Sequence, residues 1–407
     1  MQHYNGLAEA VFLKESNSQY GYASSLRASF AGVSAAIVSA LFIQAGNGLQ
    51  TDLTGLRADA AFAPDMIGLT LASYYAGYCA APLASRAIVG RLGNIISITV
   101  CMILAAGAIL LQPLMENAPV WIVLRAVSGF AISLSYVAIE SWINDAVHNP
   151  VRGRVFSIYM VMQIVGMTAA QGLLSFHNLD SFTPFLWAAA LFAVPAVTVL
   201  LAHRPGSSAI PPRPVGLLQL SRLAPLATTA TVIAGLSWAI LFTFGPVYAR
   251  RIGLNLSGIS LFMGLAMAAG GALQLPAGWL SDVIGRRTVI GLLFGGGVIA
   301  ALIGFGDFSR TWTFAAIALE GACVFPIYSM TASQIHDQIP REQRVAAAAS
   351  LILLFGLGSL LGPLLCGWIM NVVGTSAFFG VLCGSMMMGL ASVLLLYEPK
   401  TDAAENA

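Results

Sequence analysis

Runs of about twenty apolar residues recur along this chain with few charges between them. A run of that length matches one helical crossing of a bilayer. Hydrocarbon offers no water to unpaired backbone N–H and C=O groups, so each crossing is expected to be a helix. Twelve runs can be read: 28–50, 66–85, 95–114, 119–142, 154–175 and 183–201, then 225–248, 257–279, 288–306, 311–331, 346–371 and 376–397. Only 9% of the 407 residues are charged, where soluble proteins carry about 25%. The net charge of +2 comes without a dense Lys/Arg run. A soluble body and a nucleic-acid partner are therefore excluded, and the expected partner is the lipid bilayer.

The longest connector, 203–224, holds Pro205, Pro211, Pro212 and Pro214, a density that suits neither helix nor strand. It reads as a cytoplasmic linker between six-helix bundles at 27–202 and 225–397, with tails at 1–26 and 398–407. With the N-terminus inside, fourteen of the 19 Lys and Arg residues fall on inner segments, as the positive-inside rule requires. Both termini are then cytoplasmic, in a bacterial inner membrane. Arg250 and Arg251 are the discordant outer pair. The five cysteines lie in apolar stretches without a CxxC pair, so neither metal nor cofactor is expected.

The two halves echo one another. Ser141-Trp142-Ile143-Asn144-Asp145, followed by Pro150, Arg154 and Val155, matches Ser333-Gln334-Ile335-His336-Asp337, followed by Pro340, Arg344 and Val345. Ser85 through Gly90-Arg91 likewise matches Ser281 through Gly285-Arg286. Echoes six spans apart are the trace of duplicated bundles that rock about a central site. The expected fold class is an all-α membrane protein of twelve transmembrane helices in two pseudo-symmetric six-helix halves.

After the eighth run comes Gly278-Trp279-Leu280-Ser281-Asp282-Val283-Ile284-Gly285-Arg286-Arg287. This stretch resembles the GxLxDxxGRR loop of the major facilitator superfamily (MFS). Arg125-Ala126-Val127-Ser128-Gly129 is similar to that family's RxxxG element, and the string from Glu140 to Asp145 resembles a bacterial branch labelled YcaD-like. The resemblance implies a transporter rather than an enzyme, sufficient as a monomer, that moves a small-molecule substrate by alternating access. It further implies a gating latch in which Asp282 meets the N-terminal end of span five, near Gly153, while Arg286 pairs with Asp337. The first-half copy has no Asp at the equivalent place, so a weaker latch from Arg86 or Arg91 to Asp145 is expected. A positive-inside anchor without gating is the alternative. Span five lacks the GPxxGG element that the family's proton antiporters often carry.

Arg125, Glu140 and Glu320 are the ionisable residues inside the runs. Charge in the bilayer costs at least about 2.5–3.5 kcal/mol at a helix centre, which makes each a functional candidate. Glu320 is the deepest, about 12 Å from Trp312 at 1.5 Å per residue. It is the first candidate for carrying a coupling proton between the two sides, and Glu140 is the second. A Glu320 permanently paired to a neighbouring helix is the alternative. Arg125, Gly129, Ser133, Tyr136 and Glu140 share one helix face, either as pathway lining or as an inter-helix seam. Arg125 is expected to donate to Gln44, Asn47 or bared carbonyls near Gly46 and Gly48. Further lining candidates are Tyr74, Tyr75, Tyr78, Gln163, Trp238, Phe242, Gln274 and Tyr328, a mostly apolar set suited to a neutral amphipathic solute. An uncoupled facilitator of the same fold remains the alternative. A membrane-embedded enzyme or sensor would need a motif such as HExxH or a Ser/His dyad, absent from the runs.

Overall fold

The computed structural model describes residues 33–146, 149–175, 181–202, 216–306, 309–339 and 344–396. The expected tails and most of the linker, 203–215, lie outside the described residues. Among the described residues the chain is helical throughout, without strands. Helix α1 spans Val33–Ala61. It is followed by α2 (Pro64–Leu111), a short 3-10 turn (Gln112–Leu114), α3 (Ala118–Ala146), α4 (Asn149–Ser175) and α5 (Thr183–Leu200). A short helix α6 (Leu217–Leu223) ends the linker. The second half comprises α7 (Pro225–Arg251), α8 (Leu256–Ile284), α9 (Arg286–Phe305), α10 (Arg310–Gln338), α11 (Arg344–Val373) and α12 (Ala377–Leu395).

Eleven of these helices are long and apolar enough to cross a membrane. One of them, α2, is interrupted at Gly93, where φ is 77° and ψ is 169°. Its two arms are the second and third crossings, which makes twelve. Gly285, between α8 and α9, has nearly the same backbone, φ 89° and ψ 145°. The two positive-φ glycines occupy equivalent turns six crossings apart, a conformation that glycine adopts without Cβ strain. The structure thus shifts the sequence echo. Gly93, rather than Gly90, is the counterpart of Gly285, and Gly90 takes the place of Asp282.

Helix α1 also differs from the sequence expectation, which ended it at residue 50. Leu49, Leu53 and Leu56 continue the helical spacing and are buried, so the helix runs on to Ala61. The extension places Asp52 inside the bundle, 2% exposed. Gln171 of α4 donates to its Oδ2 at 2.7 Å. This is a spanning carboxyl that the run-by-run reading of the sequence missed.

Within each half, backbones meet where glycines remove side chains. A Cβ on Gly129 of α3 would collide with the Tyr74 carbonyl of α2, and one on Gly166 of α4 would collide with the Leu41 carbonyl of α1. The second half repeats both contacts. Gly321 of α10 abuts the Ala266 carbonyl of α8, and Gly358 of α11 abuts the Val232 carbonyl of α7. Apolar tails compete with apolar side chains in lipid, so close packing of this kind, rather than hydrophobicity, holds membrane helices together. The outward surface is apolar, with Leu275, Trp279, Val283, Leu361 and Trp368 exposed, as expected for a face that meets lipid.

Gly129→Val and Gly358→Val are expected to destabilise the purified protein by about 1–3 kcal/mol each through overpacking. Gly107→Ala, where an added Cβ meets nothing within 4 Å, is expected to leave stability unchanged. Thermal transitions in detergent read the difference.

Candidate substrate pathway

The contact at Gly129 sets the geometry one turn away. With α3 pressed against Tyr74, the Arg125 guanidinium lies over the Tyr74 ring, 4.6 Å from its centroid. Arg125 is 0% exposed, and its three side-chain nitrogens make no hydrogen bond. The expected donations to Gln44 and Asn47 are not formed. Gln44 instead accepts from the Tyr136 hydroxyl and donates to Met167 Sδ at 3.5 Å, while Asn47 Oδ1 is buried without a hydrogen-bond partner. The ring face stabilises the buried cation in place of amide oxygens.

Farther down the same face of α3, Glu140 is half-buried. Tyr159 of α4 donates to its Oε1 at 3.2 Å. Tyr78 of α2, Tyr136 of α3 and Tyr328 of α10 also lie within electrostatic range of this carboxyl. Tyr78, Tyr136 and Tyr328 are half-buried, as Glu140 is, and they come from both halves.

In the second half, Gly235 and Gly358 let α7 and α11 meet backbone to backbone. Trp238 consequently packs on Phe242 at 4.3 Å and Phe325 at 4.6 Å, with Phe355 at 6.1 Å. Tyr328 reaches Phe355 at 5.1 Å. The structure therefore brings Trp238, Phe242 and Tyr328 together, as the sequence suggests. It adds Phe325 and Phe355, of which Phe325 shares the three-residue helical spacing with Tyr328. Gln274 donates to Ser329 of α10 at 3.2 Å, a tie between α8 and α10. Gln163 donates to Met160 on its own helix at 3.7 Å and does not join the cluster.

Glu320 is 0% exposed, and neither carboxyl oxygen has a hydrogen-bond partner. It shares a face of α10 with Cys323, which abuts Gly296 of α9, and it lies in electrostatic range of Cys383 of α12. That face is the interior of the second half, away from the seam that Tyr328 borders.

The two ends of the molecule differ. At the signature end, Arg286 pairs with Asp337, as expected, and lies 3.8 Å from Asp282. Both partners belong to its own half. The Asp282 side chain is 71% exposed. Gly278 is half-buried, and Arg287 donates to the Val393 carbonyl of α12. Arg91 and Asp145 are exposed and are not paired with one another. The side chains around Gly153 lie outside the described residues.

At the opposite end the halves are tied together. Arg251 of α7 bonds Asp59 of α1 at 2.8 Å, and Arg250 donates to the Leu56 carbonyl at 2.6 Å. A Cβ on Gly55 would lie 3.2 Å from the Thr243 carbonyl, and one on Gly68 would lie 2.8 Å from the Pro363 carbonyl. The discordant arginine pair is thus a bridge across the seam. Arg250 also suits the C-terminal end of α1, where helix carbonyls carry negative partial charge.

Comparison with known proteins agrees with this geometry. The sequence profile of the Major Facilitator Superfamily matches residues 28–271 and 227–407. An uncharacterised MFS-type transporter, YcaD of Escherichia fergusonii, is 24% identical over 330 residues, covering 81% of this chain and 86% of its own. A similar protein of Enterobacter sp. is 25% identical over 334 residues, covering 81% and 84%. The solved structure of the nucleoside transporter NupG superposes with a TM-score of 0.73 at 14% identity, covering 89% of this chain and 97% of its own. A bacterial homologue of the lysosomal transporter Spinster gives 0.73 at 14%, covering 89% and 94%. Twelve crossings in two related halves, the signature loop and these matches place the chain in the Major Facilitator Superfamily.

Proposed function

We propose that the protein is a secondary active transporter that moves a small organic solute by alternating access, coupled to protons. Its setting is the bacterial inner membrane, with the signature loop and both termini in the cytoplasm and the monomer as the working unit. The observation that carries this reading is the asymmetry of the seam. The described bridges between the halves, Arg251–Asp59 and Arg250 to Leu56, lie at one end. At the other, the Asp282 carboxyl is exposed and paired only within its own half. A bundle pair closed at one end and unlatched at the other is one limb of a rocking cycle. The return limb would break the Arg251–Asp59 pair and bring Asp282 against α4.

Of the spanning carboxyls, Glu140 suits proton exchange best. Glu320 is fully buried and Asp52 is held by Gln171, whereas Glu140 is half-buried. A group that meets water in one state and the halves' interface in the other can load and release a proton with the conformational change. That neighbours of this fold include a nucleoside transporter supports an organic solute as cargo.

Two experiments test the reading. In proteoliposomes holding a pH-sensitive dye, solute-dependent proton flux is expected for the wild type, and Glu140→Gln should reduce it by about tenfold or more. Solute entry without proton movement in the wild type would instead identify a facilitator. Separately, Asp59→Asn is expected to weaken the far-end closure by about 1 kcal/mol, a few-fold shift in population. The exchanged pair, Asp59→Arg with Arg251→Asp, should restore it. Reactivity of a cysteine placed at Thr243 toward a membrane-impermeant maleimide reports that closure.

A further inference from the structure

We infer that Glu140 and the tyrosines around it form a binding site for amphipathic organic cations. The inference deepens the transporter reading and rests on it, since it names the class of cargo. The carboxylate supplies the counter-charge and the tyrosines supply the walls.

Three observations lead there. First, the Glu140 carboxylate has room for a cation. Ionised, it offers about four acceptor positions, and the structure fills one, with Tyr159 at 3.2 Å. Among the described side chains, no Arg or Lys pairs with it. Arg125, on the same helix face, is fifteen residues away, about 22 Å at 1.5 Å per residue, and is covered by Tyr74. A partly buried carboxylate without a counter-charge gains when a cation joins it.

Second, the groups around it are aromatic. Tyr159 donates to it from α4 and Tyr136 lies one helical turn away on α3, while Tyr78 of α2 and Tyr328 of α10 meet at α11, where a Cβ on Gly356 would lie 3.5 Å from the Tyr78 ring and Tyr328 packs on Phe355 at 5.1 Å. The face of an aromatic ring carries negative charge and attracts ammonium and guanidinium groups by about 0.5–2 kcal/mol each. Inorganic cations want oxygen ligands at short range, and among the described residues no cluster of three or more His, Cys, Asp or Glu exists to supply them.

Third, the wall next to the carboxylate is apolar. Tyr328 connects through Phe355 to Trp238, Phe242 and Phe325. A hydrophobic body attached to the cation would lie there, while its charge rests at Glu140. The site takes Tyr328 from one half and Glu140, Tyr78 and Tyr136 from the other. A ligand held between them is sensitive to the angle between the halves, as alternating access requires. This differs from the neutral solute suggested by composition, because the rings are accompanied by the Glu140 carboxylate.

The test uses the purified full chain in detergent, with radiolabelled 1-methyl-4-phenylpyridinium as probe. Its uncharged analogue 4-phenylpyridine, at neutral pH, is the control. Saturable binding of the cation is expected, with the analogue about tenfold weaker or more. Glu140→Gln should lose about tenfold in cation affinity and leave the analogue unaffected. Tyr328→Phe, which keeps the ring, should stay near wild type, whereas Tyr328→Leu should lose about threefold or more. Equal binding of the two probes, or unchanged cation affinity in Glu140→Gln, overturns the inference. So does absence of cation binding to the wild type, and if proteoliposomes then take up a neutral solute the transporter reading stands without it. Cation binding that depends on Glu140, with no passage of any solute in proteoliposomes, would uphold the site and contradict the transporter reading.

Discussion

Close backbone approach at glycine is the interaction on which this structure depends. In hydrocarbon, burying one more leucine between two helices gains little, because lipid is as apolar as leucine. What remains is shape. Gly129 against Tyr74 and Gly166 against Leu41 hold the first half together, and Gly321 against Ala266 and Gly358 against Val232 do the same in the second. These contacts also aim the candidate pathway side chains. Arg125 meets the Tyr74 ring because Gly129 draws α3 onto α2, and Trp238 meets Phe355 because α7 and α11 touch at Gly235 and Gly358.

Between the halves the balance is different. There glycines again meet backbone, Gly55 at Thr243 and Gly68 at Pro363, and the described polar ties are few, with Arg251 on Asp59 and Arg250 on the Leu56 carbonyl. A partly exposed ion pair is worth about 1 kcal/mol or less, which suits a contact that the proposed cycle would break. Tight glycine packing inside each half, with weak charge pairs at one end of the seam, is the arrangement that the proposed rocking of two bodies requires.

The crossings, the duplication and the family signature were legible in the sequence, because a bilayer imposes length and polarity on each segment and the loop between α8 and α9 needs glycine at a fixed place. Other features were hidden for physical reasons. The end of α1 was misjudged because Gln50 and Asp52 look like a loop, whereas Leu49, Leu53 and Leu56 carry the helix on. The matching turn in the first half was misplaced by three residues, since only the backbone at Gly93 reveals it. Glu320 was rated by depth along its helix, but depth says nothing about facing, and its face turns toward α9 and α12. Arg250 and Arg251 looked anomalous because a charge rule counts loops singly, and their partners lie on α1, nearly two hundred residues earlier.

The central claim is that the halves rock as units, closing one end as the other opens. Spin-label pairs would measure it directly in membranes: Leu92 with Val283 at the signature end, and Ala60 with Ser257 at the other, all on exposed positions. Distances taken across changes of pH and added solute should move in opposite directions, one pair shortening as the other lengthens. Distances that stay fixed at both ends, or that rise and fall together, would contradict the account.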